Sequence, residues 1–415
     1  LWLQNSASVV SMRGYRASIY QFGNIGQDTF AIFIENCAQF YGSFEIIENE
    51  LAPGGPFAWF DGNFNLFSKI IRAASSSYTV WAREPAAKTN KNGYIEADLI
   101  DNPSYAAVRL EGVSTNYKLW VRAKEIRGRT GGASIGAIQQ SGGGKLYLET
   151  EKLDNTSSST DRSPAINIAG GEAWIRAHKI TTNLTSALAP RWTGQAVTCD
   201  GTTNKIALDT HRLNITDQVR FRGTTVPAGL TAGTWYWVVN PTTNDFKVSP
   251  TYNGSAINFT SNGSGVTIDS SPWAMFATVT GGKVFLDCQH LEQVNNYSAD
   301  AFAIAGADSN TTFRLRGQIM SQVYNGRGIV HSGGSSRFAG LLIDTSITNT
   351  AGNRPVQISA AGLVLEQCKL IAPALAESIY AATPQTLTCY GVKANRANNP
   401  NVTPNVDFAV DPNTV

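Results

Sequence analysis

A pattern of apolar or small residues at offsets 0, 2, 4 and 7 recurs along this chain about every 27 residues. The segments NYKLWVRAKEIRG, GGKLYLETEKLDN and GGEAWIRAHKITT show it most clearly. Alternation over the first offsets predicts a β-strand, and the apolar residue at offset 7 follows a turn. Clear copies start at Leu119, Leu146, Ala173, Val284, Phe313 and Leu363, and weaker copies start at Phe44, Phe64, Gly93 and Phe338.

A second, shorter strand precedes most copies, as in AAVRLEG, PAINIAGG and AFAIAGA. A repeat of short strands without a helical period cannot bury its apolar face alone, so successive repeats must stack as coils. At offset 2 we expect an inward ladder of Ile46, Leu66, Ile95, Val121, Leu148, Ile175, Leu286, Leu315, Gly340 and Leu365. At offset 7 we expect a second ladder of Leu51, Ile71, Ile100, Ile126, Leu153, Ile180, Leu291, Met320, Thr345 and Leu370.

These ladders predict an all-β chain that forms a right-handed, single-stranded parallel β-helix of about 10 or more coils. The main competing solenoid is a leucine-rich repeat, which needs an asparagine-marked turn and a helical or extended return that the sequence does not show. A β-propeller needs four strands per blade and a period of ~40 residues or more. The parallel β-helix therefore fits the spacing best.

The repeat is interrupted between Ala173 and Val284, which lie about four coil lengths apart. The intervening segment has its own strand patterns, such as KIALDTHRL and TWYWVVN, separated by turn sequences such as PAGLTAG and NGSG. We therefore predict a small all-β module inserted at 196–271. The β-helix is expected to occupy 1–195 and 272–390, followed by a C-terminal tail at 391–415.

Charge and hydropathy exclude two classes of partner. The formal net charge is +2 and the basic residues are scattered, so there is no electrostatic footprint for nucleic acid. No apolar run approaches the ~18 residues of a membrane span, so we expect no membrane insertion. The chain opens without methionine, and we expect it to be a processed product or a fragment.

Cysteine and histidine spacing argues against a metal or a cofactor. The five cysteines are odd in number and lack the paired spacing of zinc ligands, so we expect reduced and mostly buried thiols. The histidines are not at metal-ligand spacing from one another and are expected at turns or on the surface: His178, His211, His290 and His331. We predict neither a metal site nor a cofactor.

Two sequence segments resemble proteins of bacteriophage particles. VRFRGTTVPAGLTAGTWYWVVN at 219–240, followed by NDFKVSPT at 244–251, resembles a short insert of tail and other virion proteins. The C-terminal TLTCYGVKANRANNPNVTPNV is similar to the way many phage β-helix proteins end. The resemblance implies a tailspike, tail fibre or capsid fibre of the pectate-lyase-like superfamily fold. Such rods are usually homotrimers, which contact other virion proteins and are assembled in the host cytoplasm.

Residues at odd offsets point away from the core and form surface columns. At offset 1 the predicted aromatic column consists of Tyr94, Trp120, Tyr147, Trp174 and Phe285. Exposed aromatic rings at coil spacing are suited to sugar stacking or to a subunit interface. The structural alternatives are that the rings fix the register of the coils or lie beneath the inserted module.

At offset 3 the charge alternates from coil to coil along the column Glu96, Arg122, Glu149, Arg176, Asp287 and Arg316. Opposite charges on neighbouring coils favour correct register, which is the structural interpretation. The catalytic interpretation places Glu149, Glu151 and Asp287 in a polysaccharide-cleaving site, which needs two carboxyl groups ~5 to 9.5 Å apart. Interleaved arginines favour ionised carboxylates, whereas a general acid must hold its proton.

Three functions remain open at this level. The first is a virion appendage, a rigid rod that presents a surface for a host glycan or protein. The second is a polysaccharide depolymerase, a lyase or glycoside hydrolase, although the GHG turn, the DD pair and the RIK-like triplet of known β-helix enzymes do not occur. The third is a bacterial surface adhesin, which needs an export signal and an anchor that this sequence does not display. The first is favoured, without an assigned catalytic residue.

Overall fold

The computed structural model describes residues 2–4, 9–19, 30–35, 37–49, 55–73, 78–83, 91–103, 105–112, 116–128, 136–156, 164–183, 194–209, 211, 213, 218–250, 255–270, 276–293, 301–305, 312–320, 327–346, 354–381, 383–404 and 408–410. These residues form strands, turns and bends, and none of them lies in an α-helix. Accordingly, within these ranges there is no helix long and apolar enough to cross a membrane.

In chain order the strands are β1 Trp2–Gln4, β2 Val9–Ile19, β3 Ile32–Glu35, β4 Cys37–Asn49, β5 Phe57–Trp59, β6 Gly62–Ala73, β7 Val80–Arg83, β8 Asn92–Asn102, β9 Val108–Gly112, β10 Lys118–Gly128, β11 Ile138–Gly142, β12 Lys145–Thr156, β13 Ile166–Asn183, β14 Gln195–Ala196, β15 Thr198–Asp200, β16 Lys205–Ala207, β17 Gln218–Arg222, β18 Trp235–Val239, β19 Asp245–Ser249, β20 Thr267–Ser270, β21 Ala277–Gln293, β22 Phe302–Ala305, β23 Thr312–Met320, β24 Ile329–Gly333, β25 Ser335–Ala339, β26 Leu342–Asp344, β27 Val356–Ile358, β28 Leu363–Glu366, β29 Lys369–Ile371, β30 Ile379–Ala381, β31 Gln385–Tyr390, β32 Val392–Ala394, β33 Val402–Pro404 and β34 Phe408–Val410.

The chain contains two compact units. The first comprises 1–131, 135–185 and 273–415, and the second comprises 132–134 and 186–272. In the first unit every strand pair is parallel, and each strand pairs with its counterpart in the next coil, as in the series β8–β10–β12–β13–β21. The unit is a parallel β-solenoid of about 10 turns with coils of about 27 residues, which confirms the predicted architecture.

The core of the solenoid is a set of inward aliphatic ladders. Within the described part of the chain, the offset-2 residues from Leu66 to Leu286 are at most 3% exposed, as are those at offset 7 from Ile71 to Leu291. The five cysteines of the chain are free and buried, as predicted. Cys288 lies in the inward column with Ala97, Ala123, Thr150 and Ala177, and burial raises its pKa to about 12.

Two of the weaker copies start at other residues than the sequence pattern predicts. Phe64 pairs with Phe40 rather than with Phe44, so Gly42 and Ile47 replace the predicted ladder residues Ile46 and Leu51. The physical reason is that the large residue of this coil is Phe40 at offset 0 and the small one is Gly42 at offset 2. A Cβ on Gly42 would lie 2.8 Å from the ring of Phe40. The Phe40 ring fills the space that Gly42 leaves in the core.

The second misplaced copy starts at Ser336, not at Phe338. Phe338 pairs with Leu365 and is the offset-2 residue of its coil, so the predicted ladder residues Gly340 and Thr345 give way to Phe338 and Ile343. Ser336 is polar and interrupts the apolar pattern at offset 0, so the sequence pattern does not show that the copy starts there. The stack also continues beyond the predicted copies, because Val10 pairs with Phe40 and Val364 pairs with Thr388.

Two histidines are buried, contrary to the prediction that all four lie at turns or on the surface. His331 is 0% exposed at an inward position of β24, where Ala361 O lies 2.9 Å from Nε2 and Ser336 Oγ lies 2.9 Å from Nδ1. These two partners satisfy the ring nitrogens, and burial lowers the pKa of His331. His211 is also 0% exposed, and its Nδ1 accepts a hydrogen bond from the Leu213 N–H. His178 and His290 are exposed.

The second unit contains an antiparallel sheet of seven strands in the order β14–β20–β17–β18–β19–β16–β15. Its segment QVRFR forms β17, WYWVV forms β18 and DFKVS forms β19, so the sequence that resembles a phage insert folds as a meander. The small core of the unit includes Val219, Phe221, Val238, Phe246 and Val248. Turns with glycine at positive φ, including Gly229 and Gly233, connect these strands.

We expect Gly93→Ala to destabilise the solenoid by ~1–3 kcal/mol, because overpacking forces the neighbouring core to shift. A Cβ at Gly93 would lie 2.2 Å from the Phe64 ring. Thermal and denaturant unfolding of Gly93→Ala, Phe64→Leu and the double variant would check this. The double variant should be more stable than the sum of the single effects predicts, because Phe64→Leu makes the side chain at position 64 smaller and leaves room for the new methyl group. Strictly additive effects would contradict this packing explanation.

Candidate ligand-binding groove

The five residues of the predicted aromatic column occupy matching positions on successive coils. Tyr94 of β8, Trp120 of β10, Tyr147 of β12, Trp174 of β13 and Phe285 of β21 are direct partners in the strand register. Each is flanked by two inward residues, so each points away from the core. All five side chains are half-buried.

The rings stack on one another in sequence. Ring centroids are 5.1 Å apart for Trp120 and Tyr147, 4.9 Å for Tyr147 and Trp174, and 5.3 Å for Trp174 and Phe285. The ring planes differ by only 9° to 12°. Centroids at this distance indicate offset stacking, in which each ring covers part of the next. The column therefore stabilises the coil register and still presents ring edges and part of each face to solvent.

A groove of about 1050 Å³ follows this column along the solenoid. It is lined by the aromatic column and by the charged residues at offset 3 from Arg122 to Arg316. Beyond Phe285 the groove continues along Arg314 and Arg337, which occupy the same offset as the aromatic rings. The groove thus combines an apolar strip with a rim of guanidinium and carboxylate groups, a combination that is common in ligand sites.

The charged column consists of Glu96, Arg122, Glu149, Arg176, Asp287 and Arg316, which are partners in the strand register. Among these described residues, only Arg176 and Asp287 bring a nitrogen and a carboxylate oxygen within 4.0 Å, at 3.9 Å. The side chains of Arg176 and Asp287 are 72% and 53% exposed. An ion pair at this distance and exposure contributes little to stability. The alternating charges of this column are therefore mostly unpaired.

Further along the same strands, alternating charges form close ion pairs. Lys152 Nζ lies 3.0 Å from Glu125 Oε1 and 3.0 Å from Asp154 Oδ2, and Arg127 Nη2 lies 2.7 Å from Glu125 Oε2. The hydrogen bond from Arg127, followed by that from Lys152, lowers the pKa of Glu125. We call Glu125, Arg127, Lys152 and Asp154 the paired cluster. Here the ion pairs do connect neighbouring coils.

Charged side chains also contact the aromatic column. Arg314 Cζ lies 5.5 Å from the ring centroid of Phe285, and Lys145 Nζ lies 5.7 Å from that of Trp174. At the other end, the Tyr94 hydroxyl donates a hydrogen bond of 2.7 Å to Glu96 Oε2. Burial, followed by this hydrogen bond, raises the pKa of Tyr94.

All three candidate catalytic carboxylates line a groove, and two of them line the aromatic groove. Glu149 and Asp287 both line the groove, but they lie two strands apart with Arg176 between them. Two strand spacings correspond to ~9.6 Å between backbone positions, at the wide end of the range for a carboxyl pair. Glu151 lines a neighbouring groove of about 840 Å³, and Glu149 and Asp287 line that groove as well.

Several residues of this face escaped the sequence prediction. Arg314 and Arg337 continue the aromatic column at offset 1, but they are not aromatic, so the aromatic pattern does not include them. Tyr41 belongs to the same offset, but the misplaced copy at Phe44 hid it. Phe67 is 43% exposed, and its ring lies 5.8 Å from that of Tyr94. Correct register would have identified Tyr41 and Arg337, whereas Arg314 and Phe67 lie in copies whose register was predicted correctly.

Among the described residues, no group of three or more His, Cys, Asp or Glu side chains is placed to hold a metal ion. No protein-family model, curated protein or solved structure compared with this chain matches it.

We expect Tyr147 and Trp174 to be energetically coupled by about 0.5–1.5 kcal/mol, because offset-stacked rings contribute beyond the area that they bury. A double-mutant cycle with Tyr147→Leu and Trp174→Leu, followed by denaturant unfolding, measures this coupling. Trp120→Leu with Trp174→Leu is the matched control, since Tyr147 separates those rings. Equal coupling in both cycles, or none in the first, would contradict a contribution of ring stacking to register.

Proposed function

We propose that this protein is a β-helix appendage of a bacteriophage virion, a rigid rod whose groove binds a host-surface glycan. The observation that carries the glycan-binding part is the stacked aromatic column inside a groove rimmed by arginines and carboxylates. The virion part is supported by the resemblance of the segments at 219–240 and 244–251 to phage inserts. The uninterrupted stack of parallel coils suits a rod.

A sugar chain is the ligand that this groove suits best. Pyranose rings have apolar C–H faces and a rim of hydroxyl groups, so they need partly exposed aromatic carbon together with charged or polar groups. The aromatic column provides the first, and Arg122, Glu149 and Arg176 provide the second. An elongated groove along consecutive coils also accommodates a polymer better than a compact metabolite.

Cleavage of the glycan is the second candidate function. The observation that favours it is that Glu149 and Asp287 both line the aromatic groove. Binding is preferred over cleavage, because Arg176 lies between the two carboxylates and two strand spacings put them at the wide end of the range for a catalytic carboxyl pair.

Glycan binding should weaken about tenfold in Trp174→Ala, as expected when a central aromatic side chain is lost. The measurement is binding of purified protein to immobilised capsular polysaccharides and lipopolysaccharides from a panel of bacterial strains. Trp174→Phe should retain most of the binding, and Tyr15→Ala, at a side chain that is 73% exposed outside the groove, is the control.

The same samples are assayed for new reducing ends and for unsaturated-sugar absorbance. Polymer shortening that disappears in Glu149→Gln or Asp287→Asn would make the protein a depolymerase. An absence of binding and of cleavage across the panel would contradict a glycan-binding groove.

The virion proposal also includes a homotrimer and contacts with other particle proteins. Parallel coils stacked in register give long faces along the rod, and a closed three-fold assembly is one way to cover such faces. Sedimentation equilibrium of the purified protein should give three times the chain mass of 44.6 kDa. A monomer at all concentrations tested would contradict the trimer and leave the groove proposal unaffected.

A further inference from the structure

The charged column of the groove has cations at a regular spacing. Arg122, Arg176 and Arg316 lie on every second coil of the stack, and Glu149 and Asp287 occupy the coils between them. Adjacent strands of a sheet are ~4.8 Å apart, so successive arginines are separated by ~9.6 Å along the axis. The column therefore has a charge repeat of two coils.

Most of the described charged side chains of this column do not form close ion pairs with one another. In the paired cluster, Lys152 bridges two carboxylates at 3.0 Å. In the charged column the only pair within 4.0 Å among the described residues is Arg176 with Asp287, at 3.9 Å. Within the same described part of the chain, Arg316 and the adjacent Arg314 have no carboxylate oxygen that close. Among the described residues, an anionic ligand would therefore displace no close ion pair from these guanidinium groups.

We propose that the groove binds an extended acidic glycan that runs along the coil stack and has a carboxylate on every second sugar. An extended β-linked pyranose chain advances by about one coil spacing per sugar, so alternate acid groups meet alternate arginines. Arginine binds a carboxylate with two parallel hydrogen bonds. Glu149 and Asp287 would face the neutral sugars, accept hydrogen bonds from their hydroxyl groups and repel an acid at those positions. This inference rests on the proposed function.

The aromatic column lies beside the charged column on the same strands. Tyr147 is two residues before Glu149, and Trp174 is two residues before Arg176, so each coil of the aromatic column offers a ring and a charge on one face. A sugar at each coil can thus contact an aromatic edge while its substituent meets the charge of that coil. At the end of the aromatic column, Arg314 and Arg316 lie on one strand and form the most cationic position of the groove.

The test compares three β-linked hexasaccharides by isothermal titration calorimetry. A hyaluronan hexasaccharide has an acid on every second sugar, a β-1,4-mannuronate hexamer has one on every sugar, and cellohexaose has none. We expect the hyaluronan hexasaccharide to bind about tenfold more tightly than either of the others. One additional charge-assisted hydrogen bond, or one like-charge repulsion avoided, has an effect of about this size. Arg176→Gln should remove this preference.

A change of specificity makes the test sharper. Glu149→Arg places arginine on three consecutive coils, Arg122 to Arg176, and should shift the preference toward the mannuronate hexamer. Arg127→Gln is the matched control, because Arg127 belongs to the paired cluster outside the groove. Unfolding midpoints of all variants are measured alongside, so that a loss of binding is not mistaken for a loss of fold.

The possible failures can be told apart. If cellohexaose binds as tightly as the hyaluronan hexasaccharide and Trp174→Ala weakens both, the groove is a glycan site and the charge-spacing inference is wrong. Preferential binding of the mannuronate hexamer to the unaltered protein also overturns the inference. If no hexasaccharide binds while surface polysaccharides do, the inference is wrong and the proposed function stands. If neither class of glycan binds, both are wrong.

Discussion

The structure depends on parallel backbone pairing between successive coils in a fixed register. Leu119 pairs with Gly93 of the preceding coil and with Leu146 of the following coil. This pairing also fixes the neighbours of all the remaining residues of β10. A shift by one residue would turn the inward ladder of Val121 toward solvent and bury the charges beside it, so the register is strongly specified. The core, the aromatic column and the charged column are three consequences of this single constraint.

Sequence alternation was sufficient for the architecture because most coils repeat the same sizes at the same offsets. It failed at two copies, where Gly42 at offset 2 or Ser336 at offset 0 interrupts the apolar pattern. Phe40 fills the space beside Gly42, so the apolar volume is conserved although the position of the large residue is not. A pattern that scores one residue at a time cannot detect this compensation. Close packing acts on the sum of neighbouring side chains, which becomes visible only when the coils are superimposed.

The sequence predicts which residues of the candidate site lie in one column, but not how their side chains contact one another. Tyr94, Trp120, Tyr147 and Trp174 follow from the offset alone, because register places them one above another. Whether rings stack and whether charges pair depends on side-chain torsions, which a linear pattern does not contain. The alternation through Arg122 and Glu149 resembles that through Glu125 and Lys152 in the sequence, yet only the second pair lies within ion-pair distance.

A physical reason for this difference lies in what else holds each face in register. Beside the charged column, near-parallel rings at 4.9 to 5.3 Å already connect four coils, so ion pairs are not needed there to prevent slippage. Around Glu125 and Lys152 no aromatic column runs along the described strands, and the ion pairs themselves connect the coils. Stacking thus leaves the arginines and carboxylates of the groove available for a ligand. A face that is stabilised by aromatic rings can present charge to solvent without weakening the register that positions that charge.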